Sequence, residues 1–457
     1  MSETVRSSNN RKPPFRLAPT QSIALVFAAI ILVGSILLTL PISSKSGVSC
    51  GFQPALFTAT SATCVTGLVV FDTWTQWSAF GQMVILCMIE VGGLGFMAVV
   101  SLMVFALKRK VGLRQRMLMS QAWSVEDMEG VVRLQKWVLI GSLTMQFFGA
   151  LILFLRFLPN YGFIQSMWWA VFHAVSAFCN AGFDVTGNVS PGANMIIFNQ
   201  DPVVCVTLMA LVVIGGLGFF VWQEVVTLRR FRKFSVYTKL VLLTTAFLLV
   251  FGGVLFCVLE WNNPETLGYM DIPHKILNGF FQSVTVRTAG FTSVNQGALT
   301  DGSKALSIML MLIGGASGST AGGMKVVTFL VLVLFLIARA RGRNTVTVFK
   351  RNVPLGKIMD AATIGGLMIG LAFLGAIVIV ATSPVGFADA LFETVSALGT
   401  VGLTAGATPN LSLVAQGMII IFMYFGRVGI LTLSLGFLMG DKAENRFHYA
   451  DTNLLIG

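Results

Sequence analysis

Residues 61–68 read SATCVTGL, and similar text returns as SAFCNAGF at 176–183, TVRTAGF at 285–291 and SALGTVGL at 396–403. In each copy a phenylalanine stands ten residues before a glycine: Phe57 and Gly67, Phe172 and Gly182, Phe280 and Gly290, Phe392 and Gly402. These glycines are 115, 108 and 112 residues apart, so the chain of 457 residues is four copies of one unit. A second cluster follows in each copy: Gly92-Gly93, Gly215-Gly216, Gly314-Gly315 and, in the last, Gly426-Arg427. Helix packing through small residues explains the second clusters as well as a role in pore access does. It does not explain the shared phenylalanine offset of the first set.

Long apolar segments at 21–41, 80–107, 137–158, 202–228, 240–260, 303–338, 358–382 and 413–439 surround these motifs, making eight candidate spans. The chain is 55% hydrophobic and 11% charged, with mean hydropathy +0.82. A soluble domain carries roughly 25% charged residues, so a water-soluble globule is excluded. The glycine motifs lie in semi-polar stretches such as 52–71, too short to cross and each flanked by two spans. The reading is therefore an all-α polytopic membrane protein of four fused span–pore-loop–span repeats in pseudo-fourfold arrangement around one pore, as in potassium channels. Its parts are a tail 1–20, repeats at 21–116, 117–233, 234–343 and 344–440, and a tail 441–457. The basic N-terminal stretch has no A-x-A-like cleavage site after it, which points to a retained first helix.

Charge sets the orientation. The tails and the connections after spans 2, 4 and 6 hold 24 of the 31 basic residues, and the opposite side holds four, Lys45, Arg156, Lys275 and Lys304. By the positive-inside rule both termini are cytoplasmic and the four short stretches enter from outside. The net charge of +12 is then largely topology, and no nucleic-acid partner is needed to explain it. Six scattered cysteines without a CxxC give neither a disulfide framework nor zinc spacing.

Irregular backbone at membrane depth is tolerated only where it is buried in protein or lines water. Four such loops in one chain are best accommodated by convergence on one axis. Each is read as a helix of about ten residues ended by a small-residue turn, with carbonyls turned inward to replace a cation's hydration shell and a helix C-terminus adding partial negative charge. The turn residues are Thr63, Cys64, Val65, Thr66 and Gly67; Cys179, Asn180, Ala181 and Gly182; Arg287, Thr288, Ala289 and Gly290; Gly399, Thr400, Val401 and Gly402. No carboxylate stands among them, which favours a large monovalent cation over Ca²⁺ or Mg²⁺.

Span 6 is too long. As one straight helix its 36 residues would reach about 54 Å against a core of ~30 Å. Its middle, GGASGSTAGGMK at 314–325, has five glycines and three hydroxyl residues and very poor helix propensity. It is read as an intramembrane loop: Gly314, Gly315, Ala316, Ser317, Gly318, Ser319, Thr320, Ala321, Gly322 and Gly323, closing on Lys325. Lys325 either neutralises the loop's carbonyls or faces cytoplasmic water. Arg427, near the centre of span 8, carries a charge costing about 2.5–3.5 kcal/mol there. It is expected beneath the turns, against the loop's carbonyls, with an ion pair to Glu90 as the alternative. Arg287 is expected to point behind its turn, toward Glu393. Asp184 either lines the outer mouth or is an ordinary surface carboxylate. His173 and His274 read as outer-side structural residues.

Together the texts CVTGL, CNAGF, RTAGF and GTVGL, GGLGF at 92–96 and 215–219, and FGRVG at 425–429 resemble the Trk/Ktr/HKT superfamily of potassium transporters, over essentially the whole chain after residue 20. One helix, not three, precedes Gly67, which departs from the Trk type and resembles the KtrB membrane subunit. The resemblance implies K⁺ uptake, because all four turn positions are glycine where sodium-preferring plant members have serine at the first. It implies that the 314–325 loop is the gate and that Arg427 matches the family's basic residue. It also implies a homodimer in a lipid membrane, the bacterial cytoplasmic membrane, under a cytoplasmic KtrA-type ring. That ring, not this chain, would hold the nucleotide. Sodium stimulation is frequent in such systems.

Other classes fare worse. Gly315-Ala316-Ser317-Gly318 matches the GxSG of intramembrane serine proteases, but no histidine lies in a span to serve as base. The glycines at 318–323 lead into Met-Lys rather than the Gly-Lys-Ser/Thr of a phosphate loop. An alternating-access carrier with inverted repeats would alternate orientation, whereas all four units here share one. The chain is read as a transporter and not an enzyme, with a sodium-permeable or non-selective transporter of the same fold as the alternative.

Overall fold

The computed structural model describes residues 19–95 and 131–429. The sequence expectations for the tails, for the basic run from Lys108 to Arg116 and for the later parts of spans 2 and 8 lie outside those residues. Within them the regular secondary structure is helical apart from a minimal hairpin, Thr347–Val348 against Arg351–Asn352.

Each repeat opens with a long continuous helix: Pro19–Thr39, Val131–Tyr161, Val236–Glu260 and Leu355–Thr382. All four are long and apolar enough to cross a membrane. Large apolar side chains are left exposed along them, among them Leu32, Phe147, Phe247 and Ile377. That pattern suits helices whose outer faces meet lipid rather than water.

A short helix follows in each repeat: Phe52–Thr63, Phe163–Phe178, Ile272–Thr285 and Phe387–Gly399. At 12 to 16 residues these are longer than the ten or so expected. Their C-terminal halves are largely buried, and the last residues of each, before the turn, are fully so. Three of the marker phenylalanines, Phe57, Phe172 and Phe392, are wholly enclosed, whereas Phe280 is half-buried and packs over Gly253.

The third helix of each repeat begins at a side-chain cap: Ser78, Asp201, Thr300 and Ser412 each accept from a backbone N–H of the first turn. These helices are short, at Ala79–Leu94, Pro202–Leu217, Asp301–Met311 and Leu413–Val428. Three of them end on a glycine with positive φ, Gly95 at 81°, Gly218 at 88° and Gly429 at 96°, a conformation that suits glycine above other residues. The apolar run 202–228, read from sequence as one span, is thus two helices, with Phe219–Leu228 bent 95° from its predecessor. In the third repeat the break is wider: residues 312–325 separate Asp301–Met311 from Val326–Ala340.

The paired glycines explain how the third helices sit. A Cβ on Gly92 would strike the Thr63 carbonyl, one on Gly215 that of Phe178, and one on Gly426 that of Leu398. In three repeats a glycine therefore lets the third helix close against the C-terminal end of its own short helix.

Candidate functional site

The four turns meet. A Cβ on Gly67 would lie 2.5 Å from the Ala181 carbonyl oxygen, one on Gly182 2.7 Å from that of Ala289, and one on Gly290 2.7 Å from that of Val401. One on Gly402 would strike the Thr66 carbonyl. Each glycine thus abuts the carbonyl of the next repeat's turn in the order one, two, three, four and back to one, which is a closed ring. The sequence-predicted turn residues are brought together around it.

The backbone repeats as faithfully as the text. Gly67, Gly182, Gly290 and Gly402 have φ of 100°, 70°, 78° and 92°. Two residues before each, Val65, Asn180, Thr288 and Thr400 also have positive φ, between 50° and 66°. Left-handed residues at alternate positions turn successive carbonyls to one side, the arrangement a carbonyl-lined site needs. Three of them are β-branched, for which this region is a genuine outlier, so the surroundings must impose it.

Hydroxyls do much of that. Ser61 Oγ accepts from Gly67 N at 3.0 Å, and Ser396 Oγ from Gly402 N at 3.1 Å. Ser176 Oγ donates to the Phe183 carbonyl at 2.8 Å, and Thr285 Oγ1 to that of Phe291 at 2.5 Å. Their own carbonyls accept the amides of Thr66, Ala181, Ala289 and Val401 at 2.7–3.0 Å. The sequence reading passed over these four residues, although three of the quoted texts begin with the serine.

Below the ring lies the 314–325 loop. Its base closes on itself, Gly314 N donating to the Met324 carbonyl at 2.8 Å and Val326 N to that of Gly315 at 3.0 Å. Its middle reaches other repeats. Ala316 N donates to the Gly216 carbonyl at 2.9 Å, Thr320 N to Gly215 at 3.2 Å, and Gly323 N to Gly426 at 3.3 Å. Those acceptors are carbonyls at the ends of the third helices of repeats two and four, groups with no partner inside their own helix. Thr320 Oγ1 donates to the Phe178 carbonyl at 3.1 Å and lies 3.3 Å from Asn180 Oδ1. Gly322 abuts the Thr400 hydroxyl, and Tyr237 OH donates to the Ser317 carbonyl at 3.0 Å.

Arg427 binds this loop. Its guanidinium donates to the carbonyls of Thr320 and Gly92, and to that of Gly93 at 3.0 Å. It therefore satisfies helix-end carbonyls of repeat one and the loop together. It is not paired with Glu90, whose carboxylate accepts from Gln146 Nε2 at 2.9 Å and Cys179 Sγ at 3.4 Å. Lys325 Nζ donates to the Ala321 carbonyl at 2.8 Å, the first of its two sequence readings. Arg287 does not meet Glu393. It extends to the Gly314 carbonyl, 3.5 Å away, while Glu393 is taken up by hydroxyls and amides of residues 404–408. The expected ion pair fails because the carboxylate already has hydrogen-bond donors on its own repeat.

Asp184 is half-buried two residues beyond Gly182 and accepts from the amide and hydroxyl of Thr186. Desolvation raises its carboxyl to about 6, against the Thr186 bonds that lower it, with Asp72 nearby pushing it up further. His173 is enclosed between the Trp169 carbonyl at 2.7 Å and the Val185 amide at 3.4 Å, and His274 lies against Asp271. Neither joins a group of metal-ligating side chains among the described residues.

With this geometry in place, comparison with known proteins gives a consistent picture. The family described as TrkH, cation transport protein, matches residues 4–448. The chain is 38% identical over 447 residues to the potassium/sodium uptake protein NtpJ of Enterococcus hirae, covering 97% of this chain and 98% of that protein. It is 39% identical to the Ktr system potassium uptake protein B of Bacillus subtilis, covering 97% of each, and 37% identical to that of Vibrio alginolyticus, covering 95% and 94%. Among solved structures the potassium transporter TrkH from Vibrio parahaemolyticus shares the fold, with TM-score 0.73 over 95% of this chain and 87% of that one, at 18% identity.

Proposed function

Because the chain belongs to the TrkH family of cation transport proteins, we propose that it takes up K⁺ through the ring of four glycine turns. The observation that carries this reading is the ring itself: Gly67, Gly182, Gly290 and Gly402 each abut the next repeat's carbonyl, with a left-handed residue two places before every one. Carbonyl oxygens held this way exchange for the water around a weakly hydrated monovalent cation. The four short helices end at the turns, so their C-terminal partial charges favour the same cation. The uptake proteins it resembles carry potassium, and in one case sodium, in their names. Glycine at all four positions supports potassium.

In this reading the 314–325 loop is the gate and Arg427 its clamp. The loop lies beneath the ring, held by Arg427 and by the helix-end carbonyls of Gly215, Gly216 and Gly426. Opening withdraws the loop and gives those carbonyls to water. The chain sits in the bacterial cytoplasmic membrane with both termini inside. On that topology Arg156 and Asp201, paired at 2.6 Å, and Lys304 and Asp389, paired at 2.8 Å, belong to the outer side. It works as a homodimer under a KtrA-type ring that binds the nucleotide, with sodium as a stimulating ion. Relatives named as parts of a Ktr system support a second component.

The test is rescue of a potassium-uptake-deficient bacterium, with and without a KtrA-type partner, in media of low K⁺ with Na⁺ varied. Growth at low K⁺ that depends on this chain is expected. Na⁺ uptake without K⁺ uptake would replace the reading with the sodium-permeable one.

A further inference from the structure

Glu393 is a carboxylate with no exposed surface, placed nine residues before Gly402 on the fourth short helix. One of its oxygens accepts from Thr404 Oγ1 at 2.5 Å, Ala405 N at 3.0 Å and Ala407 N at 3.3 Å, and the other from Thr408 Oγ1 at 2.5 Å. All four donors belong to the segment that leaves the fourth turn toward the outside. Ser396 holds the same turn from below, through its hydroxyl on Gly402 N and its carbonyl on Val401 N. Gly402 is therefore fixed from both directions, by Ser396 before it and by Thr404 two residues after it. The Ala405 carbonyl in turn lies against Gly297, so the third repeat's outgoing segment rests on the one Glu393 secures.

The same position in the other repeats is weaker. His173 gives a single 3.4 Å contact to Val185 N. Phe281 has no polar atom, and a pair one residue later, Gln282 with Gln296 at 2.6 and 2.9 Å, takes its place. Thr58 is buried with its hydroxyl unpartnered. The fourth outgoing segment is thus held by four bonds to a single carboxylate.

Resting on the reading of the four turns as the ion path, we infer that Glu393 is a positioning residue for ion selection, holding the 404–408 segment so that the fourth turn keeps the carbonyl spacing that discriminates between monovalent cations. It touches no ion. Its influence runs through Thr404 and the amides of Ala405 and Ala407. Removing it frees a partly buried segment, leaves the enclosed Ala407 amide and Thr408 hydroxyl without their acceptor, and lets the turn relax.

The experiment is Rb⁺ uptake with Na⁺ competition in proteoliposomes of the full-length protein with its regulatory ring, comparing wild type, Glu393→Ala, Glu393→Gln and Thr404→Val. Glu393→Ala is expected to lower discrimination of Rb⁺ over Na⁺ by about tenfold and to raise the KM for Rb⁺, from the loss of all four bonds that hold the segment. Glu393→Gln keeps an oxygen for the amides and donates to the Thr408 hydroxyl, and stays within about threefold of wild type. Thr404→Val, losing one bond, falls between. A merely structural role would lower the yield of protein and leave KM and discrimination untouched. Unchanged discrimination in folded Glu393→Ala overturns the inference, as does Glu393→Gln matching a defective Glu393→Ala. If Glu393→Ala cannot be purified, wild-type discrimination in Thr404→Val overturns it, and a selective loss there supports it. Wild-type protein that moves no monovalent cation overturns the transport reading beneath it instead.

Discussion

The glycine turns and the 314–325 loop are both irregular backbone among helices, and their hydrogen bonds run in opposite directions. Each turn is closed within its own repeat, its amides bonded to Ser61, Ser176, Thr285 or Ser396 only four to six residues back. The loop is held mainly by groups far away in sequence: Gly215, Gly216 and Gly426 through backbone, Arg427 and Tyr237 through side chains. A turn closed by its own repeat keeps those hydrogen bonds whether or not the loop moves. A loop whose partners are the ends of other helices is bistable in principle, because those carbonyls accept water equally well once it leaves. On the proposed function, the difference suits the turns to the rigid task of choosing the ion and the loop to the moving task.

The comparison breaks most visibly if the loop is removed. Deletion of 316–322 is expected to raise flux without the regulatory ring by well over tenfold, since several bonds of about 1 kcal/mol each oppose opening. Uptake of Rb⁺ into proteoliposomes lacking the ring measures this, and flux that still requires the ring would show that the loop is not the gate. Arg427→Gln probes the same contacts singly. Charge-assisted bonds are worth about 1.5–3 kcal/mol, so ring-free flux should rise by about tenfold while the ratio of Rb⁺ to Na⁺ stays fixed. A change in the ratio would mean that turns and loop are not separate devices.

On the rigid side, Ser396→Ala removes the hydroxyl from Gly402 N and leaves the serine's carbonyl bond in place. A loss of about 1 kcal/mol predicts about a fivefold fall in Rb⁺/Na⁺ discrimination without ring-free leak. The smallest effect belongs to the mouth. Asp184, whose carboxyl is raised to about 6 by desolvation, is expected to pass from largely ionised at pH 7.5 to largely protonated at pH 5.5. Loss of that negative charge should raise the KM for Rb⁺ by about twofold as pH falls between them, a modest effect because solvent reaches part of the half-buried carboxylate and screens its field. Asp184→Asn should show the higher KM at both pH values, and a persisting pH dependence would place the titrating group elsewhere.

Much of the architecture was legible because the repeat writes itself in residues that geometry requires. Phe57 with Gly67 and its three counterparts give the number of units, and the 36-residue apolar run betrays the break in span 6 by its length and the glycines in its middle. The bend at Gly218 was not legible. Inside an apolar run, a glycine that ends a helix at φ 88° reads the same as one that merely packs. The left-handed conformation of Val65, Thr288 and Thr400 was hidden more deeply, since β-branched side chains argue against it and only the closed ring enforces it. Pairing Arg287 with Glu393 failed for a related reason: opposite charges suggest each other in a sequence, whereas this carboxylate found hydroxyls and amides on its own repeat.

The central claim is that the four glycines shape a site which prefers K⁺. Titration calorimetry of K⁺ and Na⁺ against purified wild-type protein and Gly290→Ser tests it most directly, because a Cβ at Gly290 would press on the Val401 carbonyl at a positive φ that costs a side chain about 1–2 kcal/mol. Saturable K⁺ binding in excess Na⁺ by the wild type, weakened by about tenfold or more in the variant, is the predicted result. Equal affinity of the wild type for K⁺ and Na⁺, or a Gly290→Ser protein that binds K⁺ as tightly as its parent, would contradict it.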